Sequence, residues 1–123
     1  MPRVVHFEIS VDDPERAISF YEDVFGWKIE KWEGPVDYWL ITTGPENEPG
    51  IDGAFMRRQD PAVPTINTVS VASADEFLTK ITQAGGKVIT PKQTIPGVGY
   101  SAYCQDTEGN TFGIIEENLS AKE

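Results

Sequence analysis

An internal repeat with an offset of sixty residues restricts the possible folds of this chain more than any other feature. Residues 5–11 (VHFEISV) align with residues 65–71 (TINTVSV) at that offset. The same offset aligns two helix-start residues and two helix-stop residues, Asp13 with Ser73 and Gly26 with Gly86. A solenoid needs at least about three repeats, so two copies indicate a duplicated supersecondary unit.

Each copy predicts the order β-α-β-β-β. In the first copy, apolar and polar residues alternate over residues 4–11, as in a half-buried strand, and a helix begins at Asp13-Pro14 and ends at Gly26. In the second copy, a strand over residues 66–72 leads to a helix that begins at Ser73 and ends at Gly85-Gly86. The remaining predicted strands span residues 27–33, 38–43, 51–57, 87–90, 100–105 and 111–116.

This order predicts an α+β fold for a single domain over residues 1–123, with modules at about 1–59 and 65–118. We expect two β-α-β-β-β modules whose curved mixed sheets surround a cup-shaped cavity, with the helices on the convex faces. Equivalent positions of the two copies would then line one cavity, so candidate site residues are expected at these positions.

The composition excludes several classes of partner. The chain has 20 acidic and 10 basic residues, a net charge of −10, so it would repel nucleic acid and anionic membranes. No stretch approaches the roughly 20 apolar residues of a membrane span, and the N-terminus lacks the apolar core of a signal peptide. The one cysteine, Cys104, cannot form an internal disulfide, so a reducing, cytoplasmic location is expected.

His6 and Glu8 are the first candidate site residues, as a tentative catalytic or ligand-binding pair. They alternate with Phe7 and Ile9, and the helix must cover the apolar side of this strand, so the polar side is expected to face the cavity. A carboxylate beside an imidazole in a partly dry pocket can act as an acid–base pair. The alternative is structural, with Glu8 only satisfying the hydrogen bonds of a half-buried histidine.

Aromatic side chains supply the candidate walls of the cavity. Tyr38-Trp39 and Tyr100 to Tyr103 lie on predicted central strands, where one of each pair must face inward. Trp39 and Tyr103 are expected to form the walls, since small-molecule sites are commonly apolar with a few polar groups. The alternative is that these residues belong to the core beneath the helices.

Five segments of the chain together carry a resemblance to a known family, namely residues 6–9 (HFEI), 12–17 (DDPERA), 20–27 (FYEDVFGW), 84–88 (AGGKV) and 106–113 (DTEGNTFG). They resemble the vicinal oxygen chelate superfamily, which includes glyoxalase, bleomycin resistance proteins and extradiol dioxygenases. The resemblance covers nearly the whole chain and points to small glyoxalase-related proteins within the superfamily. It implies the same paired-module fold, but not one activity, because one fold carries many sites.

The resemblance also implies where metal ligands would lie. Metal-dependent members place one ligand on the first and one on the last strand of each module, around a divalent ion that binds two substrate oxygens. Here these positions are His6, Ile66 (or Asn67 one residue on), Gly113, and a site near residues 52–55 where only Asp52 could coordinate. Two of the four lack a ligand, so no metal or other cofactor is expected. A nonstandard divalent metal site at His6, Glu8 and Asp52 is the alternative.

Three functions therefore remain open. The preferred one is a metal-free protein that binds a small organic ligand, as bleomycin resistance proteins of this fold do. The second is a glyoxalase-like lyase or isomerase that uses His6 and Glu8. The third is a module that acts through protein contacts. We also expect a homodimer, because Trp27, Trp32 and Trp39 would leave much apolar area exposed on a small monomer.

Overall fold

The computed structural model describes residues 2–59 and 64–122, which form two compact units. One unit contains the described residues between 6 and 66, and the other contains the described residues after 66 together with the first residues of the chain. Neither described helix has the length and apolar character needed to span a membrane.

Module 1 has the predicted order of elements. Its strands form a mixed sheet in the order β2-β3-β4-β1, in which β1 and β4 are parallel and the other neighbours are antiparallel. The first and last strands of the module are therefore neighbours. The elements are β1 (Arg3–Val11), α1 (Pro14–Phe25), β2 (Lys28–Lys31), β3 (Tyr38–Thr42) and β4 (Asp52–Arg57).

Helix α1 begins and ends where the sequence predicts. The side chain of Asp13 accepts a hydrogen bond from the backbone N–H of Arg16, which caps the first turn, and Pro14 follows at a position where its missing N–H costs nothing. Gly26 ends the helix with a left-handed φ of 71°, a conformation that favours glycine.

The core of module 1 lies between α1 and one face of the sheet. Val11, Trp39, Ile41 and Phe55 are buried there, and the ring of Tyr21 packs on Phe55 at a centroid distance of 5.5 Å. Phe7 and Ile9 of β1 join this cluster, together with Ala17 and Ile18 of α1. The opposite face of the sheet therefore carries the alternate residues of each strand.

Module 2 repeats this plan with one additional strand. Its strands run in the order β5-β9-β8-β6, with β7 paired to β8, and β5 and β9 are parallel. Its core contains Val71, Ala74, Ala102 and Ile114 beneath the second helix. The elements are β5 (Thr65–Ser70), α2 (Ala74–Gln83), β6 (Lys87–Val88), β7 (Gln93–Ile95), β8 (Gly99–Gln105) and β9 (Thr111–Glu117).

The predicted α+β class and the two β-α-β-β-β modules are confirmed, with differences in the bounds of some elements and one added strand. The short strand β7 was not predicted, because its three residues lie between Pro91 and Pro96, and closely spaced prolines favour a loop. Helix α2 begins after Ser73, whose side chain accepts from the N–H of Glu76, but the helix ends at Gln83 with Ala84 as its C-cap rather than at the glycines.

Candidate functional site

His6 and Glu8 lie on the face of the module 1 sheet away from α1. The residues between and beyond them, Phe7 and Ile9, pack into the core with the helix, and side chains alternate along a strand. In the parallel pairing of β1 with β4, His6 is opposite Asp52 and Glu8 is opposite the fully buried Ala54. The polar side of β1 is thus separated from the helix, as the alternation predicts.

Tyr38 connects His6 to Glu8. The Tyr38 hydroxyl donates to Oε2 of Glu8 at 2.5 Å, and the same oxygen lies 2.9 Å from Nε2 of His6. The His6 and Tyr38 rings are stacked with an interplanar angle of 19° and a centroid distance of 6.4 Å. We call His6, Tyr38 and Glu8 the triad. Its three side chains come from two strands that are not sheet neighbours, and Tyr38 reaches across β4 to the β1 residues.

Burial keeps His6 in its neutral form at neutral pH. Burial lowers the pKa of His6 below its ordinary value of 6.5, and the negative charges of Glu8 and Asp52 only partly oppose this effect. Glu8 is itself buried, with 5% of its surface exposed, and the short bond from the Tyr38 hydroxyl stabilises its carboxylate. A neutral imidazole linked through a phenol to a buried carboxylate can accept, hold or return a proton.

Titration of His6 tests this description directly, because it is the only histidine of the chain. NMR should give a His6 pKa below 6.5, and Glu8→Gln should lower it further by removing a charge that raises it. The unfolded chain takes up this proton near pH 6.5 and the folded chain does so only at lower pH. The contribution of His6 to stability is therefore complete above pH 6.5 and is lost as the pH falls through the folded pKa.

The control for this titration is His6→Gln, which should remove that part of the pH dependence of unfolding and leave the part due to carboxyl groups. A His6 pKa above 6.5 in the folded wild-type protein would contradict the dominance of burial over the two carboxylates.

Trp39, expected as a wall of the site, lies on the opposite face of β3. It is 8% exposed and belongs to the core cluster with Phe55 and Ile41, and the Arg57 guanidinium lies 5.3 Å from its ring centroid. Tyr38 takes the place that was expected for Trp39, because neighbouring residues of a strand face opposite ways. The sequence pointed to this pair of aromatics, but Tyr38 was missed as the member beside His6.

Tyr103 lies on the face of β8 away from α2. It is opposite Gly113 in the antiparallel pairing with β9, whereas its neighbours Ala102 and Cys104 are buried. Its backbone N–H donates to the hydroxyl of Thr90. This orientation agrees with the expected one, and its role as a wall of the ligand site stays a prediction.

The residues at the family's metal positions do not fit a divalent ion. Within residues 2–59 and 64–122, no three His, Cys, Asp or Glu side chains are grouped as a metal ion requires. Asp52 accepts from the backbone N–H and the hydroxyl of Thr43, at 2.8 and 3.2 Å. Ile66 is a buried aliphatic residue, and a Cβ at Gly113 would lie 3.1 Å from the Thr68 hydroxyl.

Glu116 offers no replacement ligand for the missing position on β9. Its Oε1 accepts from the backbone N–H of Ala74 at 2.8 Å and so satisfies the first turn of α2. This contact places the Glu116 side chain on the helix side of its strand, as the three-residue spacing from Gly113 predicts.

Comparison with known proteins identifies the family. The family model described as the Glyoxalase/Bleomycin resistance protein/Dioxygenase superfamily matches residues 3–114, which is most of the chain. The chain belongs to this superfamily. The resemblance to vicinal oxygen chelate proteins is therefore confirmed for this glyoxalase-superfamily protein, together with its fold.

Two sequence relatives differ in length: this glyoxalase-superfamily chain matches less than half of one and most of the other. The Mycobacterium bovis protein CFP32, a candidate glyoxylase by its name, is 31% identical over 113 residues, which are 89% of this chain and 42% of CFP32. The chain thus spans less than half the length of that relative. A glyoxylase-like domain-containing protein of Didymella fabae is 28% identical over 114 residues, with 87% and 88% of the two chains covered.

Solved structures share the fold at low identity. A methylmalonyl-CoA epimerase in complex with methylmalonyl-CoA and NH4+ superposes with a TM-score of 0.74 at 11% identity, covering 100% of this chain and 99% of that one. The epimerase of Mycobacterium tuberculosis gives a TM-score of 0.67 at 14% identity, covering 94% and 87%. Identities this low show a common fold and leave the activity of this chain to its own residues.

Proposed function

We propose that this glyoxalase-superfamily protein binds a small organic molecule on the triad face of module 1 and does so without an intact metal site. The observation that carries the proposal is the hydrogen-bonded triad, which places a neutral imidazole and a buried carboxylate on a sheet face away from the helix. Buried polar groups on a sheet face are costly, and small-molecule sites commonly contain a few such groups.

Three apolar side chains, those of Leu40, Ala54 and Met56, lie beside the triad on the same face. Tyr38 is opposite Met56 in the β3–β4 pairing and Leu40 is opposite Ala54, so these four residues share the face with His6 and Glu8. Leu40 is 42% exposed and Ala54 is fully buried, which provides an exposed apolar wall and a small, closed floor. A molecule with an apolar body and one polar end suits this arrangement.

The charge of the chain argues against the ligand named for the structural neighbours. Methylmalonyl-CoA is a polyanion, whereas this chain has a net charge of −10 and places Glu8 and Asp52 beside His6. An anion bound there would lose hydration and meet two like charges. We therefore infer that a ligand of this protein has little or no negative charge.

The second candidate function is a lyase or isomerase in which His6 and Glu8 act as an acid–base pair. The observation that favours it is the connection through Tyr38, since a proton taken by His6 can be balanced by a shift within the triad towards Glu8. The neutral state of His6 leaves it able to act as a base at neutral pH.

Calorimetric titration with Zn²⁺, Mn²⁺ and Ni²⁺ tests the metal-free part of the proposal. We expect no stoichiometric binding tighter than about 1 μM that depends on His6, since a single imidazole without clustered carboxylates does not hold a divalent ion. Tight one-to-one binding in the wild type that disappears in His6→Ala would overturn this part and favour the metal-assisted alternative.

A fragment screen by protein-observed NMR tests ligand binding itself. Small aromatic and aliphatic molecules that bind should shift the His6 and Tyr38 ring signals, and Tyr38→Phe should weaken that binding whereas Tyr100→Phe, in the core of module 2, should not. A screen in which all binding signals fall outside the triad face would refute the proposed site. If a bound fragment is converted, or if its C–H protons exchange with D2O only when Glu8 is present, the lyase or isomerase function is favoured instead.

The homodimer also stays a prediction, and exposed apolar residues of α1 now support it in place of the tryptophans. Trp39 is in the core and Trp27 stacks on Tyr21 at a centroid distance of 4.9 Å, so these tryptophans do not leave the expected area exposed. Each of three apolar residues of α1 is instead more than half exposed, namely Phe20, Val24 and Phe25. Sedimentation at micromolar concentration should show a species of twice the chain mass, and a 13.6 kDa species alone would contradict it.

A further inference from the structure

The hydrogen bonds of the triad determine which nitrogen of His6 carries the proton. A tyrosine hydroxyl has a single hydrogen, and that of Tyr38 is donated to Glu8 at 2.5 Å. Its oxygen can then only accept from Nε2 of His6, 2.9 Å away. The neutral ring is therefore protonated at Nε2, and Nδ1 carries a lone pair that accepts hydrogen bonds.

Nδ1 is reachable from the sheet face. The hydrogen bond of the His6 ring is made at Nε2. In the part of the chain that the structure describes, no buried side-chain nitrogen or oxygen lacks a hydrogen-bond partner. His6 is half-buried rather than enclosed, and its Nε2 is bonded to Tyr38, so Nδ1 is the ring nitrogen that a molecule on this face can meet.

The charges around His6 select against anions. Glu8 and Asp52 both act electrostatically on the ring, so a ligand at Nδ1 lies in the field of two carboxylates. Several cations of the module are already paired elsewhere, Lys31 and Arg57 with Asp37 and Arg58 with Asp12. A carboxylate or phosphate at Nδ1 would meet a lone pair and two negative charges, whereas a neutral O–H or N–H donor meets an acceptor.

From this geometry we propose that Nδ1 of His6 accepts a hydrogen bond from a neutral O–H or N–H group, so that the ligand is an alcohol, phenol or amide with an apolar body. This inference rests on the proposed function and specifies its ligand class. Glu8 and Tyr38 act as positioning residues, since they hold the ring in the Nε2–H form and need not touch the ligand. Leu40 and Met56 offer the apolar surface for its body.

Three probes with the same apolar body test the inference at pH 8, where His6 is neutral: para-cresol, para-methylanisole and para-toluate. The His6 ring shifts report binding. Cresol should bind at least about fivefold more tightly than the anisole, which lacks the O–H donor, and at least about tenfold more tightly than toluate. Glu8→Gln should raise toluate affinity relative to cresol, whereas Glu15→Gln, the same charge change in the exposed first turn of α1, should not.

A ligand-free measurement supports or overturns the same inference. Long-range nitrogen–proton NMR of the single imidazole should show the proton on Nε2 in the wild type, and Tyr38→Phe should shift the tautomer ratio towards Nδ1–H. A wild-type ring protonated at Nδ1 overturns the inference. Toluate binding as tightly as cresol also overturns it and leaves the proposed site intact, whereas absence of His6 shifts with all three probes contradicts both.

Discussion

Replacing Phe55 with alanine should lower the free energy of unfolding by about 3–5 kcal/mol. Phe55 is fully buried at the centre of the module 1 core, where its ring packs on Tyr21, so the substitution removes apolar contacts and leaves a cavity. Domains of this kind have a total stability of about 5–15 kcal/mol, so a large share of the variant is expected to unfold at low urea concentrations. Urea denaturation followed by tryptophan fluorescence measures the change.

Phe20→Ala is the matched control for this substitution. Phe20 on α1 allows the same substitution, but its side chain is 55% exposed, so less than about 1 kcal/mol should be lost when both variants are compared at a concentration at which the chain is monomeric. Similar losses for the two variants would show that Phe55 is not the centre of the core.

Gly53→Ala should destabilise the protein by about 1–3 kcal/mol and should also disturb the triad. A Cβ at Gly53 would lie 2.5 Å from the backbone oxygen of Phe7 and 2.6 Å from its ring. Because one of these atoms belongs to the backbone of the paired strand, β1 has to move away from β4. Phe7 lies between His6 and Glu8, so the same movement displaces both site residues from Tyr38.

Two readouts separate these effects of Gly53→Ala. Urea denaturation gives the loss of stability, and the His6 ring signal reports the triad in the protein that remains folded. Gly44→Ala in the same module is the control, since the nearest atom to its added Cβ is a Glu48 carboxylate oxygen at 3.6 Å, and a loss below about 0.5 kcal/mol is expected. An unchanged His6 signal in folded Gly53→Ala would show that the position of β1 does not depend on the close contact between Gly53 and Phe7.

Local signals in the sequence predicted most of the fold. The cap at Asp13, the stop at Gly26 and the alternation along β1 are effects between residues close in the chain, and the structure confirms each. The offset of sixty then transferred the same plan to module 2. Short elements were less well predicted, since β2 covers only Lys28–Lys31 of the expected residues 27–33 and β7 has three residues.

The candidate site was predicted only in part, because its geometry depends on long-range register. Alternation placed His6 and Glu8 on one face without any knowledge of their partner. Tyr38 and Trp39 are both large aromatic residues, so the sequence alone does not show which of the two faces the triad. The pairing of β3 with β4, with Trp39 opposite the buried Phe55, decides the orientation, and that contact is not visible in the sequence.

The parallel pairing of β1 with β4 has a consequence for the order in which module 1 folds. The β3–β4 pair joins strands that follow each other in the chain, so it can form early with a small loss of chain entropy, whereas β1 must close a loop over almost the whole module. We expect β1 to dock last, after the surface that receives it has formed. His6 and Glu8 reach Tyr38 only at that step, so the His6–Tyr38 contact serves as a natural probe of the final folding event.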